Sequence, residues 1–580
     1  ARAATEAPGA PPKDEGAALT AARNAMPVDC NKPAAFDDGG DKIRSPDGQA
    51  FQAYLRGTQA FYVGDFDVAA LRFASLRAAR SPWLRETGLY MLARVEVNRM
   101  QAGVFDEYGA FKTPAPADAT ARTMGALATY LKAYPRGRYA DSARGLTRRA
   151  WWLGGRIDKL AAVYAGLAAE NPANRGVSDV DLANEIDNKL LGAAKVADLA
   201  DPLLAAVIDL QQMRLPAEDD ATAAAAKPPP PVDLESQRGK FAGHPALFDY
   251  LLAVRAFYRD HRPSEVLRLI PEDSGRSDLD TLAFSRQMLR GMALDATSDP
   301  KVRGVWLALA ARASGPFQPA AVELAIAWHD ERAGTLDKTF AAGSPVRGAA
   351  IRAILLSHAA GPDLLRRQAE APGALPKERE VALFTLLYKE LTRGRYGDYL
   401  KDVTLIPLAA RIQPKDGDAS SYSYAQSHDT WDQPTPLWTF VQPAGGAYAC
   451  PTLSETAGRL MRGGEARARM CLAEWVRTYG YDGFYLDTPP GKAELGGAGH
   501  PFRGPVYSRL ETYRQVIADP KAGSEDTAYA LYRAVNCYGP SGNNHCGGIE
   551  APPAQRKAWF QRLKTAYPSS PWSRKQKYVW

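Results

Sequence analysis

Apolar residues recur at helical spacing through most of the chain, and the pattern is clearest between residues 54 and 94. Ala69, Phe73 and Leu76 fall on one helical face, Gly64-Asp65 and Ser81-Pro82 interrupt the chain on either side, and the apolar run Tyr90-Met91-Leu92-Ala93-Arg94 follows. This spacing predicts a helix, a tight turn, a second helix and a further turn. The same periodicity predicts helices over 119–134, 139–153, 156–169, 179–191 and 202–213, then over 245–258, 279–294, 301–313, 319–332, 346–358 and 377–393. It resumes over 453–461, 466–479, 506–518, 528–537 and 555–567. Gly315-Pro316, Gly361-Pro362 and Pro372-Gly373 punctuate the middle of the chain as turn signals. Strand signals are few; Val403-Thr404-Leu405-Ile406 reads as a short strand or extended segment.

Gly64 at the turn, Phe66 just after it, then Ala69, Phe73 and Pro82 occupy positions similar to those of a tetratricopeptide repeat of about 34 residues. In that register the small Ala69 lets two helices approach and Phe73 fills the gap between them. A generic helical hairpin would also need a Gly turn and an apolar stripe. The segments Tyr134-Pro135-Arg136-Gly137-Arg138-Tyr139-Ala140 and Tyr567-Pro568-Ser569-Ser570-Pro571-Trp572 resemble turns of bacterial envelope proteins with such repeats, of the BamD-like outer-membrane assembly lipoprotein and Tol-associated coordinator types. Tyr529-Ala530-Leu531-Tyr532-Arg533 echoes residues 90–94, so both ends look built from one kind of unit. The resemblance implies an all-α, TPR-like α-solenoid and an envelope compartment.

Six regions follow. Residues 1–45, rich in Ala, Pro, Gly and Asp, read as an extended arm whose 17–26 segment suits a short docking helix; residues 46–215 form a first TPR-like helical domain. The stretch 216–240, with its polyproline run at 228–231, is a linker. Residues 241–401 form a middle solenoid, 402–449 a long irregular region, and 450–580 a last set of helical repeats.

At 580 residues the chain exceeds what one core supports. The balance of 72 Lys+Arg against 65 Asp+Glu, a net +7, is too dilute to indicate a nucleic-acid partner. No stretch approaches the ~18 uninterrupted apolar residues of a membrane span. The start at Ala1-Arg2, without an initiator Met, fits removal of a leader, although a truncated chain would look the same. Cysteine spacing favours export: Cys450 with Cys471 and Cys537 with Cys546 are the expected disulfides, leaving Cys30 over. Reduced cysteines, or a metal site of Cys537, His545 and Cys546 lacking a paired Cys-x-x-Cys, are the alternatives. The expected compartment is periplasmic, outer-membrane-associated or extracellular.

No signature for a zinc protease, a serine hydrolase, a phosphate-binding loop or a haem attachment occurs, nor the catalytic Glu-Ser segment of soluble lytic transglycosylases. No catalytic, cofactor-binding or metal residue is assigned. Asp179, Asp181, Glu185 and Asp187 read as acids at a helix start. Two clusters are candidate partner-binding sites. Arg144, Arg148, Arg149 and Arg156, beside Trp151 and Trp152, suit an acidic partner or a lipid phosphate, or make a solvated basic face over core tryptophans. His428, Asp429, Trp431, Asp432 and Trp438 suit recognition of sugar or protein, or pack down on the helices. The sequence therefore points to a cofactor-free protein–protein scaffold of the envelope or cell surface, docking in part through residues 1–45. The alternative is a glycan-binding or glycan-processing protein using residues 413–449.

Overall fold

The computed structural model describes residues 8–26, 37–196, 199–214, 232–277, 279–414, 435–443, 446–499, 501–502 and 504–580. All regular structure among them is helical, and no helix is long and apolar enough to cross a membrane. Two isolated antiparallel bridges, Phe105 with Phe111 and Tyr538 with Asn544, are the other backbone pairings recorded there. The chain divides into two compact units, Ala1–Leu269 and Ile270–Trp580.

In the first unit the helices Pro46–Tyr62, Phe66–Ser75 and Pro82–Met100 pack as consecutive neighbours. Ala69, Phe73 and Leu76 are all buried, as the stripe predicts. The middle helix is wedged tightly. A Cβ on Gly57 would lie 2.9 Å from Cε1 of Phe73, and one on Gly88 would lie 2.8 Å from Cβ of Leu76 and 2.9 Å from the Phe73 carbonyl oxygen. Only glycine lets both flanking helices come this close.

One turn recurs. Gly64, Gly155 and Gly394 each end a helix with positive φ (82°, 65° and 73°), and the next residue's N–H donates to the carbonyl five residues back. The donors are Asp65, Arg156 and Arg395, bonding the oxygens of Ala60, Trp151 and Glu390 at 2.9, 2.9 and 2.7 Å. This is the six-to-one bond of a Schellman cap, which needs a left-handed residue and so favours glycine. Each cap launches another helix at once: Phe66–Ser75, Ile157–Ala169 and Tyr396–Asp402.

The Tyr-Pro turns are organised by aromatic contact. In the first unit Tyr90 stacks on Tyr139 at 4.5 Å, and Glu86 accepts from the Tyr130 hydroxyl (3.0 Å) and the Arg138 N–H (2.6 Å). In the second, Tyr529 packs on Trp572 at 4.4 Å. The bridge residues 105 and 111 and the turn residues 134 and 139 have counterparts 433 positions on, at 538, 544, 567 and 572 (538 − 105 = 572 − 139 = 433). The two sequence echoes thus belong to one structural element, present in each unit.

Several segments differ in detail from expectation. Within residues 1–45 the short helix expected over 17–26 is present but begins earlier, as Lys13–Ala25, and its Leu19 and Ala22 enter the core of its own unit. Its Glu15 accepts from the N–H groups of Arg44 and Ser45 and from the Ser45 hydroxyl, bracing the start of Pro46–Tyr62. Leu19, Ala22 and Met26 form the local apolar stripe that this helix buries. Val403–Leu405 forms a 3-10 turn rather than a strand. Pro263–Leu269 and Pro362–Glu370 are additional helices. Residues 215–231, which include most of the expected linker, lie outside the described residues.

Candidate functional site

The sequence-predicted basic cluster sits on Ala140–Leu153 and the turn after it, and the structure separates its members. Arg144 bonds Asp141 and the Pro135 carbonyl at 2.7 and 2.8 Å, Arg149 bonds Gln101 at 2.9 Å, and Arg156 bonds Asp158 and lies over the Trp151 ring. Only Arg148 turns inward, to 7% exposure.

Arg148 meets Glu185, one of the acids at the next helix start. Its Nε and Nη2 donate to the two carboxylate oxygens at 2.7 and 2.9 Å, a bidentate fork. Lys189 Nζ lies 3.3 Å from Oε2, and the Tyr164 hydroxyl donates to the same oxygen at 3.2 Å. Burial pushes the Glu185 carboxyl up, but the hydrogen bond from Arg148 and the charge of Lys189 outweigh it, and the net shift is downward. Burial lowers Lys189, with Glu185 opposing. Arg148 and Glu185 therefore both shift toward their charged forms.

This ion group forms the floor of an open cleft of about 500 Å³. Gly176, Ser178, Asp181, Asn184 and Asn188 form its rim. Asp179–Ile186 is capped by Ser178, whose hydroxyl accepts from the Asp181 N–H, and Asn184 and Asn188 sit one turn apart at the mouth. The rim supplies amide and hydroxyl groups above a floor of the ionic side chains Arg148, Glu185 and Lys189, chemistry suited to polar, hydrogen-bonding ligands such as a peptide.

In the second candidate cluster, His428, Asp429, Trp431 and Asp432 lie outside the described residues. Trp438 is core, 3% exposed in the Leu437–Phe440 turn, where the Phe440 and Thr439 carbonyls accept from the Tyr399 hydroxyl (2.9 Å) and from Trp475 Nε1 (2.8 Å).

Both expected disulfides are present: Cys450–Cys471 and Cys537–Cys546, with Cα separations of 5.5 and 5.3 Å. The second takes both sulfurs out of the alternative metal set with His545. Such bonds persist in oxidising compartments and are rare in the cytosol, so they suggest a non-cytoplasmic location. Cys30 lies outside the described residues.

No motif marks a buried ionisable group in the second unit. Pro376–Thr392 is buried along its whole second half, and both Lys389 and Glu390 are 0% exposed. Lys389 Nζ donates to the Ser357 carbonyl at 2.5 Å, Tyr388 donates to Asp487 at 2.6 Å, and Arg393 pairs with the other oxygen of Asp487. Burial lowers Lys389 to about 7; burial and the adjacent Lys389 lower His358 to about 4. On the opposite face Glu390 meets Asp402, which Arg366 clamps with bonds of 2.6 to 3.1 Å. Burial, followed by the neighbouring Asp402, raises Glu390 to about 9, so Glu390 is protonated at neutral pH.

Comparison with family models, with curated proteins and with solved structures finds no match for this chain.

Proposed function

We propose that this chain is a non-catalytic protein–protein interaction scaffold of the bacterial envelope or cell surface, built from TPR-like helical hairpins that form an α-solenoid. The observation that carries the reading is recurrence: one Schellman hairpin turn and one aromatic-clasped Tyr-Pro turn are used in both units. Repeated hairpins present extended surfaces more readily than a single enclosed pocket. The two disulfides support the compartment, and the polar cleft over Arg148 and Glu185 supplies a place for a peptide partner. A fold does not fix a function, so the cleft is where the reading is tested.

The test is chemical cross-linking of the protein in envelope extracts, comparing wild type with Asn184→Ala/Asn188→Ala, which alters the rim and leaves the ion group intact. Discrete protein adducts lost in the double variant support the scaffold. Absence of protein adducts, together with saturable binding to peptidoglycan fragments, favours the glycan reading.

A further inference from the structure

In the second unit a glycine-rich segment covers buried ionisable side chains that no motif announces. Residues 488–499 and 501–502 include Gly491, Gly496, Gly497 and Gly499, and they run over His358 and Lys389. Gly496 lies so close that a Cβ there would sit 3.1 Å from Cβ of His358 and 3.1 Å from Cγ2 of Ile354. The Phe502 ring lies 5.9 Å from Lys389 Nζ. The N–H groups of Gly496 and Ala498 donate to the two oxygens of one buried carboxylate, Glu331, at 2.9 Å each. Arg332 donates to the carbonyls of Lys492 and Glu494 at 2.7 and 3.1 Å and lies 3.7 Å from the centre of the Trp328 ring.

Beneath this segment, His358 is 93% buried (7% exposed), and its Nδ1 has no hydrogen-bond partner. A buried ring nitrogen left unsatisfied costs free energy that a packed structural core avoids. A glycine-rich cover held by two adjacent side chains is the arrangement that lets such a group reach solvent or a ligand.

We infer that residues 488–499 are a strap, latched by Glu331 and Arg332, that opens to admit solvent or a small polar ligand to His358 and Lys389. The latch bonds only backbone groups of the strap, so strap side chains can vary without releasing it. Glu331 is the essential half. Glutamine offers one acceptor oxygen in place of two and turns an N–H donor toward the other backbone N–H.

The experiment is hydrogen exchange of the full chain at fixed pH, with Lys389 acetylation by acetic anhydride read by peptide mapping. In Glu331→Gln, exchange at 491–499 and acetylation at Lys389 rise about tenfold, the loss of one charge-assisted hydrogen bond, while amides of Ala466–Thr478 keep their protection. Arg332→Lys, a milder change nearer the surface, raises both in the same order by a smaller factor. If Glu331→Gln also exposes Ala466–Thr478, the Arg332→Lys result decides. Strap exchange and Lys389 labelling unchanged in Arg332→Lys, or rising only in step with core exchange, overturn the strap.

Discussion

Replacing Phe73 with alanine removes the ring that fills the space between three helices. The side chain is 0% exposed, and its helix is pinned on both sides at Gly57 and Gly88, where the neighbouring backbones already touch it. The flanking helices therefore cannot close in on the space left, which places the loss in the upper part of the roughly 3–5 kcal/mol typical of Phe→Ala. For a unit of this size that corresponds to a fall in Tm on the order of 10 °C. The control is Leu71→Ala on the same helix: Leu71 is 68% exposed, and its removal should cost within about 0.5 kcal/mol. Urea titration and calorimetry of the two variants give the comparison. A Phe73→Ala curve that overlays Leu71→Ala would refute the wedge and the hairpin register built on it.

Reducing the two disulfides should destabilise the second unit by on the order of 3 kcal/mol each by loop-closure entropy, seen as a lowered Tm in reductant; an unchanged melt contradicts this. Arg148→Ala leaves Glu185 half-buried without its bidentate partner and should cost about 2 kcal/mol, whereas Arg144→Ala, an exposed pair, should cost under about 0.5 kcal/mol; equal losses in denaturant titrations would count against the ion group. Glu390 gives a pH signature. Its carboxyl is raised from 4.5 to about 9 in the folded state, so below 4.5 both states hold the proton and stability is full. Above 4.5 the unfolded state releases it first, and stability falls as pH rises toward 9. Lys389, lowered from 10.5 to about 7, acts oppositely, but only between about 7 and 10.5. Between pH 5 and 7 Glu390 therefore acts without that offset, and Glu390→Gln should gain on wild type by about 2 kcal/mol. A pH-independent difference between the two would show that Glu390 is ionised in the folded state.

Where local pattern sets structure, the sequence was readable. Gly64, Ala69 and Phe73 specify a turn and a stripe within one hairpin, and Pro245–Tyr258 and Leu453–Met461 end where periodicity says they should. Pro362 was ambiguous because proline both breaks a preceding helix and starts the next one at its first position, and Pro362–Glu370 is the second case. The Arg148–Glu185 pair spans 37 residues, so the basic and acidic runs each read as solvated faces until the fold joined them. Lys389 and Glu390 look like the polar side of an amphipathic helix. The warning was present in the apolar residues at 381–384, 386–387 and 391, which leave no wide polar face and mark a helix enclosed on all sides.

The scaffold reading stands or falls on whether protein occupies the cleft over Arg148 and Glu185. A photo-cross-linking residue at the exposed Asn184, irradiated in the native compartment, reads this directly. The account predicts one or a few discrete protein adducts, absent when the same residue is placed at Thr129 on the exposed face of Ala117–Ala133. No adduct at Asn184, or the same adducts from both positions, would contradict it.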